Sequence, residues 1–298
     1  MSAPDFPAWS ALALARVEQA LTDWVPAAAP ARLGDAMRYA VLDGGKRLRP
    51  LLVLASAEAV QGNGSAALRA ACAVELIHAY SLVHDDMPCM DNDVLRRGKP
   101  TVHVQYGEAQ ALLAGDALQA LAFELLTPEG DAVPPAMQAA LCGLLARAAG
   151  AAGMAGGQAI DLASVGRVLT EAELRAMHRL KTGALLQAAV RMGAACAAPA
   201  LPVATRAALD DYGAAIGLAF QVVDDILDVT ADSAQLGKTA GKDAAADKPT
   251  YVSLLGLAEA QALAARLHAQ AHHALDASGL TTAALLRSLA DRVVMREN

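Results

Sequence analysis

Two clusters of aspartates are the residues in this sequence most able to do chemistry. The first, DDMPCMD, runs from Asp85 to Asp91, and the second, DDILD, runs from Asp224 to Asp228. Each follows a strongly apolar segment, where an unpaired carboxylate is costly to bury. Adjacent carboxylates also repel one another, which favours a divalent cation between them. Because all the candidate ligands are oxygen atoms, the pattern predicts a hard ion, Mg²⁺ before Zn²⁺.

The spacing within each cluster is compatible with a shared metal site. Asp224 and Asp228 are four residues apart, on one face of a helix. Asp85 and Asp91 are six apart, which leaves them about 120° out of alignment on an ideal helix. Pro88 is expected to break that helix, so that Asp91 turns back towards Asp85. Taken alone, either cluster is also compatible with an acidic helix end exposed to solvent.

Basic segments complement the acidic clusters. GGKRLRP begins at Gly44 and opens a predicted helix, where cations and backbone N–H groups together bind anions. RRGKPT begins at Arg96, directly after the first cluster, and KTG begins at Lys181 within an apolar helix. Three more lysines lie in a long polar segment: Lys238, Lys242 and Lys248. Metal ions surrounded by such cations form a site for a ligand with several phosphate oxygens, although each basic segment alone is also explained by solvent-exposed charge.

Composition and periodicity predict an all-helical protein. Ala and Leu carry most of the 55% hydrophobic content, and aromatic residues make up 3%, a balance that favours helices over strands. We predict helices at these positions: 8–24, 32–42, 46–61, 65–87, 103–126, 131–150, 170–196, 203–230, 250–276 and 281–295. The longest non-periodic stretch is 231–249. No linker divides the chain, so we expect residues 1–298 to form a single domain.

Charge, cysteine usage and hydropathy limit the partners and the location. The net charge of −7 argues against nucleic acid as a partner. The four cysteines lack C-x-x-C spacing, and unpaired thiols fit a reducing compartment. The sequence shows no signal peptide and no uncharged apolar stretch of about 18 residues. We therefore expect a cytoplasmic protein without a membrane span.

One further pair of residues has metal-ligand spacing. His268 and His272 lie at i, i+4 on a predicted helix. Since the neighbouring sequence offers no evident third ligand, we interpret them as part of a solvent-exposed helix face.

The order of the motifs resembles that of the trans-isoprenyl diphosphate synthases, most closely the bacterial farnesyl diphosphate synthases. The likeness covers nearly the whole chain, from GGKRLRP through IHAYSLVHDDMPCMD, AGDAL, GGQAIDL, KTGALL and GLAFQVVDDILDV to LGKTAGKD. It implies an all-α isoprenoid synthase fold, an antiparallel helical bundle around a deep central cavity, and a homodimer. The implied reaction is the Mg²⁺-dependent, head-to-tail condensation of isopentenyl diphosphate with dimethylallyl or geranyl diphosphate to farnesyl diphosphate, by ionisation, condensation and elimination.

The resemblance also implies roles for individual residues. Asp85 and Asp91 would bind two of three Mg²⁺ ions and Asp224 the third. Three more aspartates would support the metal ions: Asp86, Asp225 and Asp228. The allylic diphosphate would be clamped by Arg96, Lys181 and Lys238. The isopentenyl diphosphate would be held by Lys46, Arg49, His78 and Arg97. Thr182 and Gln221 would face the reacting carbons.

The length of the product depends on what lies below the metal ions. Tyr80 and Ser81 lie about one turn before Asp85, about 6–8 Å along the helix axis. The Tyr80 ring is expected to form a floor that limits the product to C15 or C10, unless it simply packs in the core. The remaining alternatives are a geranyl or geranylgeranyl diphosphate synthase and a class I terpene cyclase. A cyclase has no second diphosphate to bind and would leave Lys46, Arg49 and His78 unexplained.

Overall fold

The computed structural model describes residues 5–42, 44–167, 169–198, 200–230 and 250–295. Its helices, in chain order, are α1 (Phe6–Trp24), α2 (Leu33–Val41), α3 (Leu48–Ala59), α4 (Gly64–Asp85), α5 (Val102–Tyr106), α6 (Glu108–Leu126), α7 (Pro135–Ala149), α8 (Met154–Ala163), α9 (Glu171–His178), α10 (Ala184–Ala195), α11 (Val203–Thr230), α12 (Tyr251–Leu255), α13 (Leu257–Ala277) and α14 (Ala284–Val294). A 3₁₀ turn (Pro30–Arg32) precedes α2, and a π-helical segment (Arg179–Gly183) joins α9 to α10. The predicted all-α fold is confirmed.

Helix α4 lies at the centre of the bundle. Its N-terminus is capped by the side chain of Asn63, which accepts a hydrogen bond from the Ala66 amide at 2.9 Å. Buried residues occur on every side of the helix, including the run from Ala70 to Ile77, as expected of a helix enclosed by others. Helices α3, α6 and α10 pack around it, and α11 packs between α10 and α13. This arrangement fixes the C-terminal end of α4, where the first aspartate cluster begins.

Two glycines allow the π-helical segment to lie very close to its neighbours. A Cβ atom on Gly157 of α8 would lie 2.5 Å from the Lys181 Cα atom and closer still to the Lys181 amide nitrogen. A Cβ atom on Gly217 of α11 would lie 2.9 Å from the Gly183 Cα atom. Backbone cannot yield as a flexible side chain can, so both positions require glycine. The segment that carries Lys181 and Thr182 is therefore held between α8 and α11.

Several element boundaries differ from the sequence prediction. The predicted helix 103–126 is divided at Gly107 (φ 90°), and the predicted helix 250–276 is divided at Gly256 (φ 82°). Helix α8 was not predicted, because the glycines at its start resemble a loop. A two-stranded hairpin follows the first aspartate cluster and pairs β1 (Leu95–Arg96) with β2 (Lys99–Pro100). Strands of two residues are too short to leave a periodic signal in sequence.

Three helical stretches are long and apolar enough to cross a membrane, judged by length and composition alone. They are Gly64–Asp85, Glu108–Leu126 and Pro135–Ala163. In α4, 67% of the apolar window is buried inside the protein, whereas the other two windows are 39% and 33% buried. The central position of α4 therefore explains its apolar character. In the other two stretches, part of the apolar surface lies on the outside of the protein.

Candidate active site

The first aspartate cluster lies in a tight turn at the C-terminal end of α4. After Pro88 the chain reverses, and the Asp91 amide donates a hydrogen bond to the Asp85 carbonyl oxygen at 2.9 Å. The Asp93 amide likewise donates to the Asp86 carbonyl oxygen at 3.1 Å. The turn therefore brings Asp91 back beside Asp85, as the position of Pro88 predicts.

The carboxylates of this turn lie in surroundings that disfavour negative charge. Burial raises the pKa of Asp85 to about 6; the Lys181 ammonium opposes this shift, and the carboxylate of Asp91 adds to it. Asp85 is also the last residue of α4, where the helix dipole is negative. The second cluster has the same disadvantage, because Asp224 and Asp228 lie in the last turns of α11. At both positions a cation would offset this unfavourable environment.

Asp86, the second residue of the cluster, binds an arginine. Its carboxylate accepts hydrogen bonds from Arg96 Nη2 at 2.6 Å and from Arg96 Nε at 2.8 Å, in a bidentate ion pair. The Asp86 side chain is 3% exposed and that of Arg96 is 35% exposed. Strand β1 thus places Arg96 directly beside the first cluster.

A cavity of about 390 Å³ opens in front of Asp85. Seven of the residues predicted from sequence line it: Arg49, His78, Tyr80, Ser81, Asp85, Lys181 and Thr182. The remaining lining residues are mostly apolar or small: Leu82, His84, Met90, Met154, Ala155, Gln158, Ala159 and Leu162. Three of the predicted diphosphate-binding residues, Arg49, His78 and Lys181, therefore share one cavity with Asp85 and the predicted chain-length residues, whereas Arg96 and Arg97 line a neighbouring pocket with Asp86.

Several cations lie near His78 and the start of α3. Burial lowers the pKa of His78 well below its usual value, and the positive charges of Arg49 and Arg97 lower it further. The His78 ring is therefore neutral at neutral pH. Arg97 Nη1 donates to the Gly44 carbonyl oxygen at 2.8 Å, which fixes the loop that carries the exposed Lys46. This arrangement concentrates positive charge at the start of α3.

Arg47 has a structural role that the sequence interpretation missed. Its side chain is 2% exposed and turns into the core, where Nη1 lies 2.8 Å from Glu75 and Nε lies 2.7 Å from Glu18. Arg47 also donates to the Val41 carbonyl oxygen at 2.6 Å. This buried network anchors the loop between α2 and α3. The signal in sequence was Glu75, a lone acid within the apolar run of α4.

Lys181 and Thr182 lie in the π-helical segment, a structure found frequently at functional sites. Lys181 Nζ binds Asp161 Oδ2 of α8 at 2.5 Å. This partner was not predicted, although Asp161 belongs to the GGQAIDL segment. The Thr182 hydroxyl donates to Gln221 Oε1 of α11 at 3.2 Å. The segment is thus tied to both neighbouring helices.

The second aspartate cluster is connected to the cavity through this contact. Gln221 Nε2 donates to Asp225 Oδ1 at 2.8 Å, and the Tyr251 amide donates to Asp225 Oδ2 at 2.7 Å. Asp224 lies one turn beyond Gln221 and is partly exposed, and Asp228 is buried. None of the three aspartates belongs to the described lining of the cavity. The cluster is linked to the lining residue Thr182 through Gln221.

One predicted ligand, Lys238, lies outside the described residues, as do Lys242 and Lys248. The arrangement of the others provides oxygen atoms that could bind a hard cation and cationic side chains that could bind an anion.

Comparison with known proteins identifies the family. The family model described as Polyprenyl synthetase matches residues 30–281. The farnesyl diphosphate synthase of Haemophilus influenzae is 46% identical over 90% of this chain and 90% of its own length. The chloroplastic geranylgeranyl pyrophosphate synthase of Capsicum annuum is 46% identical over 95% of this chain and 76% of its own.

A solved structure agrees with these relatives. The geranyltransferase of Helicobacter pylori, complexed with magnesium and isoprenyl diphosphate, superposes with a TM-score of 0.84 at 34% identity and covers 99% of this chain and 98% of its own. A family match over most of the chain, together with the same fold, leaves one assignment. The chain belongs to the polyprenyl synthetase family of prenyltransferases, which have the all-α isoprenoid synthase fold.

Proposed function

We propose that the protein is a farnesyl diphosphate synthase, which condenses isopentenyl diphosphate with dimethylallyl and then geranyl diphosphate. The observation that carries this proposal is the shared cavity, which Arg49, His78, Asp85 and Lys181 all line. Two anion-binding regions around one apolar cavity suit a reaction between two diphosphates.

The aspartates fit Mg²⁺, because the donors are all oxygen and because burial, which raises the pKa of Asp85, leaves a carboxylate that a cation would stabilise. Asp85 and Asp91 would hold two ions and Asp224 a third. Asp86, Asp225 and Asp228 are assigned to the same clusters as supporting residues. Bound Mg²⁺ would draw electron density from the diphosphate oxygens and so make the diphosphate a better leaving group.

The chain's own residues would stabilise the charges that develop. Asp161 holds Lys181 in place, so that its ammonium group faces the leaving diphosphate. Arg96 and Lys238, the latter outside the described residues, would stabilise the same charge. The Thr182 hydroxyl gives its hydrogen to Gln221, so its lone pairs remain available to face an allylic cation. The double bond of isopentenyl diphosphate, held by Lys46, Arg49, His78 and Arg97, then attacks this cation. Proton loss to the released diphosphate completes the elimination.

The wall of the cavity would exclude water from the cation. Met90, Met154 and Leu162 line it beside two alanines, so that the reacting carbons contact mainly hydrocarbon. A water molecule that reached the cation would hydrolyse it to an alcohol, and the apolar lining therefore favours condensation.

Tyr80 supports a C15 product. Its ring is 9% exposed, lines the cavity and packs edge-on against His84, with 5.6 Å between ring centroids. The Ser81 hydroxyl donates to the His78 carbonyl oxygen at 2.8 Å, so it stays close to the helix. Tyr80 is therefore the bulky member of the pair and the residue that would stop chain growth.

We further propose a cytoplasmic homodimer. Leu112 and Leu113 of α6 are 47% and 51% exposed, and Val104 of α5 is 49% exposed. A second copy of the chain would cover this apolar surface. The four cysteines form no disulfide, which suits a reducing compartment.

The test is to incubate the purified protein with Mg²⁺ and geranyl diphosphate, with and without isopentenyl diphosphate, and to measure the chain length of the product. We expect farnesyl diphosphate, and only when both substrates are present. Tyr80→Ala should lengthen the product, whereas Tyr80→Phe should leave it unchanged. A C20 product from the unaltered protein would identify a geranylgeranyl diphosphate synthase, and a cyclic product without isopentenyl diphosphate would identify a terpene cyclase.

A further inference from the structure

Two histidines and an aspartate meet between α13 and α14, outside the cavity described above. The Nε2 atoms of His268 and His272 lie 2.7 and 2.8 Å from the same oxygen, Asp291 Oδ1, and 3.1 Å from each other. We call these three residues the C-terminal His/Asp cluster. The interpretation of the histidines as a solvent-exposed face without a third ligand was wrong. Asp291 was missed because it belongs to the next helix, 19 residues beyond His272.

The contact geometry of the cluster is that of ligands around a shared ion. With no ion present, both rings must carry a hydrogen on Nε2 and donate it to one carboxylate oxygen, which brings the two donors against each other. A single cation in the middle would use both nitrogen lone pairs and the carboxylate at once. Three donors around a zinc ion are separated by about 3.3 Å, so the cluster needs to open by only a few tenths of an ångström.

The donor set selects the ion. Two imidazole nitrogens and one carboxylate oxygen suit Zn²⁺ and neighbouring late first-row ions, and they do not suit Mg²⁺. The side chains of His268, His272 and Asp291 are 24%, 27% and 43% exposed. They are therefore accessible to an ion, and water can complete its coordination.

The helices that carry the ligands are held in place. Tyr212 of α11 is fully buried, and its hydroxyl donates to the Leu286 carbonyl oxygen of α14 at 2.7 Å. The Thr205 hydroxyl of α11 donates to the Ser278 carbonyl oxygen, just after α13, at 2.9 Å. Because both helices are fixed to α11, the ligands are arranged before any ion arrives, which lowers the cost of binding.

The position of Arg287 disfavours binding of the ion. Its Nη1 lies 3.3 Å from His272 Nδ1, and a guanidinium can only donate, so this contact places the ring hydrogen on Nε2. An ion on Nε2 requires that hydrogen to be on Nδ1 instead. Arg287 must then turn towards Asp276, which already accepts a hydrogen bond from Nη2. Arg287 therefore sets the affinity of the site.

We propose that the C-terminal His/Asp cluster binds a divalent ion of the Zn²⁺ class and that the ion joins α13 to α14. The site is separate from the aspartate clusters. None of its ligands belongs to the described lining of the cavity, and its nitrogen donors have no counterpart among the catalytic carboxylates.

Cobalt distinguishes the two kinds of site. We would titrate the full-length protein with Co²⁺ in the presence of excess Mg²⁺ and follow the visible absorption, because nitrogen-containing sites of low coordination number absorb far more strongly than octahedral all-oxygen sites. We expect one equivalent of Co²⁺ to give an intense band that one equivalent of Zn²⁺ removes. His272→Gln and His268→Gln should each abolish the band and leave the Mg²⁺-supported prenyltransferase activity unchanged.

Two matched controls complete the design. His273 is the exposed neighbour of His272 on the same helix, and His273→Gln should keep the band. Asp224→Ala should also keep it. Absence of the band in the unaltered protein, its survival in His272→Gln, or its loss in Asp224→Ala would each overturn the proposal. Arg287→Gln should tighten Co²⁺ binding by about tenfold, since the amide oxygen can accept the Nδ1 hydrogen; an unchanged affinity would refute the role assigned to Arg287.

Discussion

The two aspartate clusters have similar sequences but are built differently. The first lies in a tight turn after Pro88, where the backbone brings Asp91 back beside Asp85. The second lies on the continuous helix α11, where helical spacing alone aligns Asp224 with Asp228.

In both clusters the second residue of the aspartate pair is held by the protein. Asp86 is neutralised by the full charge of Arg96, whereas Asp225 accepts hydrogen bonds from the neutral donors of Gln221 and Tyr251. The comparison indicates that the two residues of each pair have different roles. We expect the first aspartate of each pair to face a metal ion, whereas the second fixes the helix end to its surroundings.

The largest expected effect is on the metal-facing aspartates. Asp85→Ala and Asp224→Ala should each lower turnover by at least about a hundredfold, or about 3 kcal/mol of activation free energy, because the leaving diphosphate loses its stabilising ions. Steady-state kinetics with geranyl and isopentenyl diphosphates measure this effect. Rates within a few-fold of the unaltered enzyme would remove the assigned role, and thermal unfolding without Mg²⁺ should show little loss of stability.

Asp86→Ala should instead weaken the fold. It would leave the Arg96 guanidinium without its bidentate partner, at a cost of about 2 kcal/mol in the free energy of unfolding. Urea denaturation measures this change. The double variant Asp86→Ala/Arg96→Met is the control and should recover part of the loss. If Asp86→Ala were as stable as the unaltered protein, the structural role assigned to the second aspartate of the pair would be refuted.

Asp225→Ala should destabilise the protein less, by about 1 kcal/mol, since the Gln221 amide and the Tyr251 N–H that lose their acceptor are both neutral. The same denaturation experiment gives the value. If Asp225→Ala proved more damaging than Asp86→Ala, the contrast between a charged and a neutral partner would be refuted.

The smallest expected effect concerns the link between the cavity and the second cluster. Thr182→Val keeps the shape of the side chain and removes its hydrogen bond to Gln221, so turnover should fall by about fivefold, the equivalent of about 1 kcal/mol. Thr182→Ser keeps the hydroxyl and serves as the matched control. Equal rates for the two variants would show that the link has no catalytic value.

Local patterns in the sequence were sufficient for much of this structure. Helical periodicity gave most of the bundle, and the reversal at Pro88 follows from proline geometry alone. The shared face of His78 and Asp85 follows from a separation of seven residues, close to two helical turns. Both residues do line the same cavity.

What the sequence could not show was contact between distant helices. Arg47 was grouped with the anion-binding cations of GGKRLRP, because nothing near it in the chain shows that it contacts Glu18 and Glu75. Asp161 and Asp291 were missed for the same reason, since each meets its partner only after two helices have packed. Helix α8 was missed because the glycines in its sequence favour a loop. In the structure, Gly157 lies within the helix and leaves space for the Lys181 backbone to pack against it.

The π-helical segment also has a consequence for how the gene can change. Neighbouring residues of a regular α-helix point about 100° apart, yet Lys181 and Thr182 both line the cavity. The wider turn brings them to one side by accommodating one surplus residue. Deleting the codon for Arg179 or Leu180 is therefore expected to let the helix close into regular form and to rotate one of the two side chains away, although both residues would still be present.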